Sequence, residues 1–163
     1  MTIKQNGGIF GRKPDFSGIT FGGGSEELNH YSEGSWTIDV QDEAGNSSTS
    51  SNSNGQYVRI GRLVTVAGFI SNIDTTGLTS GDNIQVHGLP YTANSYTGSL
   101  YFNGVIVANS TTYTGLLSAG LLDDSNYFRI WDMPSGSSAN KFLDVSALTS
   151  GSADLRFTFS YFA

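Results

Sequence analysis

Residues 56–72, QYVRIGRLVTVAGFISN, set the pattern from which the rest of the chain is read. Val58, Ile60, Leu63, Val64, Val66, Phe69 and Ile70 are β-branched or apolar, and no helix start signal accompanies them. Gly61-Arg62 interrupts the run. Glycine at the first central position of a two-residue turn tolerates a positive φ, which suits a type II′ hairpin. Such a turn places Ile60 opposite Leu63, Arg59 opposite Val64, Val58 opposite Thr65 and Tyr57 opposite Val66. Side chains alternate along a strand, so Tyr57, Arg59, Val64, Val66 and Ile70 share one face. Val58, Ile60, Leu63, Thr65, Ala67 and Phe69 share the other. Both faces are largely apolar, so both are expected to be covered, one by the domain core and the other by a second layer or another subunit.

The same alternation of short apolar runs with Gly, Ser, Asn and Asp clusters continues along the chain. Further strands are read at 35–40, 83–87, 98–109, 127–132, 142–145 and 155–162, with a less regular one at 113–117. In the last, Leu155, Phe157, Phe159 and Tyr161 alternate with Arg156, Thr158, Ser160 and Phe162, which suits a strand in mid-sheet. Residues 114–122 come nearest to a helix, without caps or a sustained period. Eight or nine strands predict an all-β chain built as an antiparallel, jelly-roll-like β-sandwich. Residues 45–55, GNSSTSSNSNG, have nothing to bury and are expected to form a mobile loop. Residues 1–33 carry only spaced apolar points (Ile9, Phe10, Phe16, Ile19, Phe21) around a Gly22-Gly23-Gly24 hinge. They predict an extended N-terminal arm ordered by other chains, followed by a head domain over 34–163.

Composition supports a globular β-protein: 37 % hydrophobic residues, 13 % charged and 21 glycines. A net charge of −6 with eight Lys+Arg argues against nucleic acid as a partner, because phosphate binding needs a basic surface. The chain has no cysteine, which excludes disulfides and thiolate metal sites. It has neither an apolar signal core nor a run of about 18 apolar residues, so no secretory leader and no membrane insertion are expected. An outward-facing role would then be reached by another route, such as cell lysis.

Three short motifs occur in order: Glu33-Gly34-Ser35-Trp36-Thr37, the hairpin from Gly55 through Val66, and Gly88-Leu89-Pro90-Tyr91. Together they resemble the C-terminal head domain of bacteriophage tail fibres and related receptor-binding proteins. Those heads show an E-G-x-W-T start, a G-x-Y-x-x-I-G-x-x-V-x-V hairpin and a G-L-P-[FY] turn. The segment Gly7-Gly8-Ile9-Phe10-Gly11-Arg12-Lys13-Pro14-Asp15-Phe16 looks like the collar upstream of such heads. Arg62 and Ile38 depart from the pattern, standing where a small turn-former and a proline are common. The resemblance implies a homotrimeric virion protein, made in the host cytoplasm, whose head binds a host cell-surface glycan or protein. Its arm would contact other virion proteins. The alternatives are a structural decoration or adaptor protein and a polysaccharide-degrading fibre head.

Candidate chemistry is sparse. Trp131 and Asp132 stand at a strand end beside turn residues, where an aromatic ring and a carboxylate can hold a sugar; Trp131 capping the fold is the competing reading. Tyr91, Asn94 and Tyr96 belong to a Tyr/Ser/Asn-rich stretch of the kind found on adaptable recognition surfaces. Trp36 reads as a core anchor, and Asp123-Asp124 as a solvated loop rather than a catalytic or Ca²⁺-binding pair. His30 and His87 lack partners at metal-ligand spacing. Neither a nucleophile elbow nor a phosphate loop is present, so no catalytic residue, no metal site and no cofactor are expected. Three copies round one axis would cover the second hairpin face, with the binding loops at the end away from the arm.

Overall fold

The computed structural model describes residues 19–20, 27–28, 31–50, 52–95, 102–136 and 141–163. Among these residues all the long elements are strands. They are β1 (Ile19–Thr20), β2 (Glu27–Leu28), β3 (Tyr31–Trp36), β4 (Asp39–Gln41), β5 (Asn52–Ile60) and β6 (Leu63–Ile73). They continue with β7 (Gln85–His87), β8 (Phe102–Asn109), β9 (Gly115–Leu121), β10 (Tyr127–Pro134), β11 (Lys141–Phe142) and β12 (Ala153–Phe162). A single 3₁₀ turn spans Val145–Ala147. β1 pairs only with β2; the others form one antiparallel ten-stranded sheet in the order β3-β5-β6-β12-β8-β9-β10-β7-β4, with β11 beside β10.

The strand order forces curvature. β3 and β4 are joined by Thr37 and Ile38 alone, yet stand at opposite ends of the order. Laid flat, those ends would be about 38 Å apart at ~4.8 Å per strand. A link of that length spans only about 10 Å. The sheet therefore curls into an antiparallel half-barrel, one continuous sheet with its apolar side inward.

The inner face holds Trp36 and Val40 from the two edges, Val64, Val66 and Ile70 from β6, and Phe128 and Ile130 from β10. Leu155, Phe157, Phe159 and Tyr161 from β12 run through its middle. Phe128 packs edge-on against Phe157 and Phe159 at centroid distances of 4.8 and 5.0 Å. Burial of such a cluster is the main stabilising term, at roughly 1.5–3 kcal/mol per large side chain.

The hairpin register is the one expected: Ile60↔Leu63, Arg59↔Val64, Val58↔Thr65 and Tyr57↔Val66. Gly61 sits at φ +59°. Its inner face is buried, with Val64 and Val66 fully so. Among the described residues the outer face stays open: Val58 is 38 %, Ile60 48 % and Leu63 41 % exposed. β12 lies between β6 and β8, in mid-sheet as its alternation predicts.

Three expectations need correction. The strand at 35–40 is two strands, because Thr37 and Ile38 carry the chain from one edge of the sheet to the other. Part of the 45–55 loop is not a loop: Asn52 to Gly55 extend β5 by pairing with Ser71 to Gly68. The strand read at 113–117 is β9, running from Gly115 to Leu121, and its Leu117, Ala119 and Leu121 alternate into the core. β3 begins at Tyr31, inside the stretch assigned to the arm. The Gly22-Gly23-Gly24 hinge lies outside the described residues.

Candidate functional site

Tyr91, Asn94, Trp131 and Asp132 fall in different environments, and Tyr96 lies outside the described residues. Asp132 is fully buried. Its Oδ2 accepts from Thr114 N and Thr114 Oγ1, both at 2.9 Å, and its Oδ1 from Gly115 N at 2.9 Å. Burial works against its charge, but these hydrogen bonds outweigh that and hold the carboxyl below its ordinary pKa. Asp132 thus ties the start of β9 to β10 and is not available to a sugar hydroxyl. The reason is strand parity: Asp132 follows Phe128 and Ile130 onto the inner face, whereas Trp131 points outward.

Trp131 stays half-buried on the outer face. Its ring lies 3.9 Å from that of Phe142, centroid to centroid, and the Arg129 guanidinium sits 4.9 Å over the same Phe142 ring. Arg129 is also paired with Glu43 at 3.0 Å. Further along the ridge, His87 stacks on Tyr127 at 4.6 Å and shares a hydrogen bond with Gln85 at 2.9 Å. Burial lowers the His87 pKa, opposed by the Asp39 carboxylate. The result is a strip of stacked rings with interleaved charge on the outside of β7, β10 and β11. Phe142 and Arg129 were not singled out from sequence, since only the β10–β11 pairing brings Phe142 beside Trp131.

Tyr91 gathers a second group. Its backbone is pinned by Tyr161, whose hydroxyl donates to Tyr91 O at 2.8 Å and accepts from Tyr91 N at 3.3 Å. Its ring meets Tyr57 edge-on at 5.7 Å, and the Arg59 guanidinium lies 4.4 Å from its centroid. Ser32 Oγ and Tyr57 Oη are 3.2 Å apart, and Arg59 Nε donates to Gly61 O at 2.9 Å. Ser32, then Tyr57 and Arg59, hold the Tyr91 phenol below its ordinary pKa. Asn94 contributes backbone: its N–H donates to Phe162 O at 2.8 Å. Arg59, Tyr57 and Ser32 sit on strands, where alternation marks them as sheet residues and gives no sign of a recognition role.

The candidates lie toward opposite ends of the sheet. Tyr91 is at the end where β5 turns into β6 and where β3 begins, Tyr31 being opposite Ile60. The turn after Trp131 follows Pro134, which faces Gly115 at the other end. Of the two, only the turn after Trp131 lies away from the end at which the chain enters the sheet.

Two shallow hollows occupy the outer face. One, of about 540 Å³, has Gln56, Ala67, Phe69, Val105, Arg156 and Thr158 in its lining; the other, of about 560 Å³, shares Gln56 and Ala67 and adds Glu33, Val58 and Thr65. Among the described residues no three His, Cys, Asp or Glu side chains come together as a metal cage, and no helix is long and apolar enough to cross a membrane. No family model, no curated protein and no solved structure matches the chain.

Proposed function

We propose that this chain is the host-attachment head of a bacteriophage tail fibre, binding a surface glycan or protein without catalysis. Its curled sheet is a variant of the jelly-roll-like sandwich of that family, and its working form is a homotrimer. The chain is carried on the virion, with the residues before Tyr31 directed to other virion proteins. The observation that carries this reading is the uncovered outer face. Val58, Ile60, Leu63, Val105, Val107, Leu116 and Phe162 are each 38–64 % exposed there. Apolar surface of that breadth on one sheet face marks an interaction surface. Copies of the chain packed round an axis would cover it, as the motif order shared with fibre heads suggests.

Receptor contact falls to the stacked strip of Trp131 and Phe142 and to the group around Tyr91, with Asn94 beside it. Stacked rings offer flat faces to the C–H side of a sugar, and the neighbouring hydroxyls and guanidinium offer hydrogen bonds. Labelled protein incubated with a panel of candidate bacterial hosts tests the reading. Saturable adsorption to a subset of strains, reduced by Trp131→Ala, is the expected result. A protein that adsorbs to no strain at any concentration would overturn it.

A further inference from the structure

From the cluster at the β5–β6 end we propose that Arg59, Tyr57, Tyr91 and Ser32 form a site for the anionic group of an acidic saccharide: a carboxylate, sulfate or phosphate carried on a sugar ring. The assignment rests on the attachment reading above and names the ligand class of the Tyr91 part of that site.

The geometry begins with Arg59. It lies on the inner face of β5 in a transverse row, opposite Ser32 on β3 and Val64 on β6. Most arginines so placed in a fold neutralise a carboxylate. Among the described residues none lies within salt-bridge distance of Arg59; the ion pair recorded there is Arg129 with Glu43. Instead Arg59 is oriented by two neutral contacts, the Gly61 carbonyl at Nε and the Tyr91 ring beneath the guanidinium plane. Neither contact supplies a negative charge, so the Nη end, which also meets the Tyr91 phenol, can take a planar or tetrahedral oxyanion, the geometry a guanidinium matches best.

Three hydroxyls stand around this fork. Ser32 Oγ and Tyr57 Oη form one pair, and Tyr91 Oη completes the set. All four side chains are half-buried, so the site is shielded enough to strengthen charge–charge attraction while open to a ligand. These same neighbours hold the Tyr91 phenol below its ordinary pKa, since hydroxyl donors and a cation favour negative charge on an oxygen at this place. The supports of the cluster are rigid. Tyr161 clamps the Tyr91 backbone from the core, and Gly34 leaves room for the Tyr57 ring, which a Cβ would approach to 3.1 Å. A carbohydrate held here would lie at the β5–β6 end of the sheet, while the Trp131 strip engages neutral sugar faces on the outside of β10 and β11.

A glycan array carrying uronic, sialic, sulfated and phosphorylated glycans beside their neutral counterparts decides the matter, read in parallel with adsorption to host cells. The expected result is preferential capture of acidic glycans, competed by inorganic sulfate. Arg59→Gln should weaken that capture roughly 10- to 100-fold, as loss of a charge-assisted hydrogen bond predicts. Arg59→Lys, which keeps charge but not the fork, should recover part of it. Unchanged thermal unfolding would show that the head is intact; if Arg59→Gln does not fold, Tyr91→Phe removes the phenol alone and is read in its place. Equal capture of acidic and neutral glycans, a silent acidic set, or acidic binding that survives Arg59→Gln would each overturn the anion assignment while cell adsorption upholds the attachment reading. Absence of adsorption to cells would bring down the attachment reading, and the anion assignment with it.

Discussion

A glycine at φ +59° between Ile60 and Leu63 closes the tightest turn of the outer-face hairpin. A β-branched residue is strained there, so Gly61→Val should cost about 1–3 kcal/mol, measured by chemical denaturation. Asp132 makes a different demand. Its folded pKa lies below the ordinary 3.8, so its contribution is fully present above the unfolded pKa and is lost as pH falls through the folded value. Asp132→Asn should lower stability at neutral pH by roughly 1–3 kcal/mol, since it turns a donor toward the N–H groups of Thr114 and Gly115. Below about pH 4 the gap between variant and parent should narrow, which an acid titration of unfolding would follow. The turn at Gly61 was legible because the steric reason is local. The role of Asp132 was not, because its partners, Thr114 and Gly115, come from another strand.

Among the strands, glycines and aromatic rings recur as partners. Gly34 faces Tyr57, Gly55 faces Trp36, and Gly68 faces Phe157 across the register. In each case the ring lies over the glycine: a Cβ at Gly55 or Gly68 would collide with it, and one at Gly34 would press on it at 3.1 Å. Trp131 covers Gly120 in the same way from a diagonal position. Such pairs let a curled sheet carry large rings without splaying its strands. Gly55→Ala and Gly68→Ala should therefore each destabilise by about 1–3 kcal/mol through overpacking, read by denaturation with Trp fluorescence as the probe. Alternation exposed the strands, as Leu155 to Tyr161 demonstrate, but gave no sign that 35–40 divides into β3 and β4. Both pieces are apolar on the same parity, Trp36, Ile38 and Val40 all being buried. A periodicity of two runs unbroken through a change of partner.

At the scale of the whole molecule, the outer face is where the proposed assembly can be tested. The proposed trimer predicts a mass near three chains by light scattering at micromolar concentration, and Val107→Lys, at a side chain 54 % exposed, should shift the protein toward monomer without unfolding it. A wild-type mass near one chain would remove the proposed cover for the hairpin. The apolar character of that face was visible in sequence, since Val58, Ile60 and Leu63 stand where a wet strand face would be polar. The curling of the sheet was hidden, being a property of strand order rather than of any segment.

Strand β12 also bears on how the molecule comes into being. It is synthesised after both of the strands that it joins, β6 and β8. Until Ala153 to Phe162 have left the ribosome, the earlier strands form two separate patches, each ending in an open edge ready to pair with whatever it meets. The ten-stranded sheet therefore cannot be completed before translation has passed β12. A transcript cut short before that strand would release a chain poised to aggregate rather than a smaller working head.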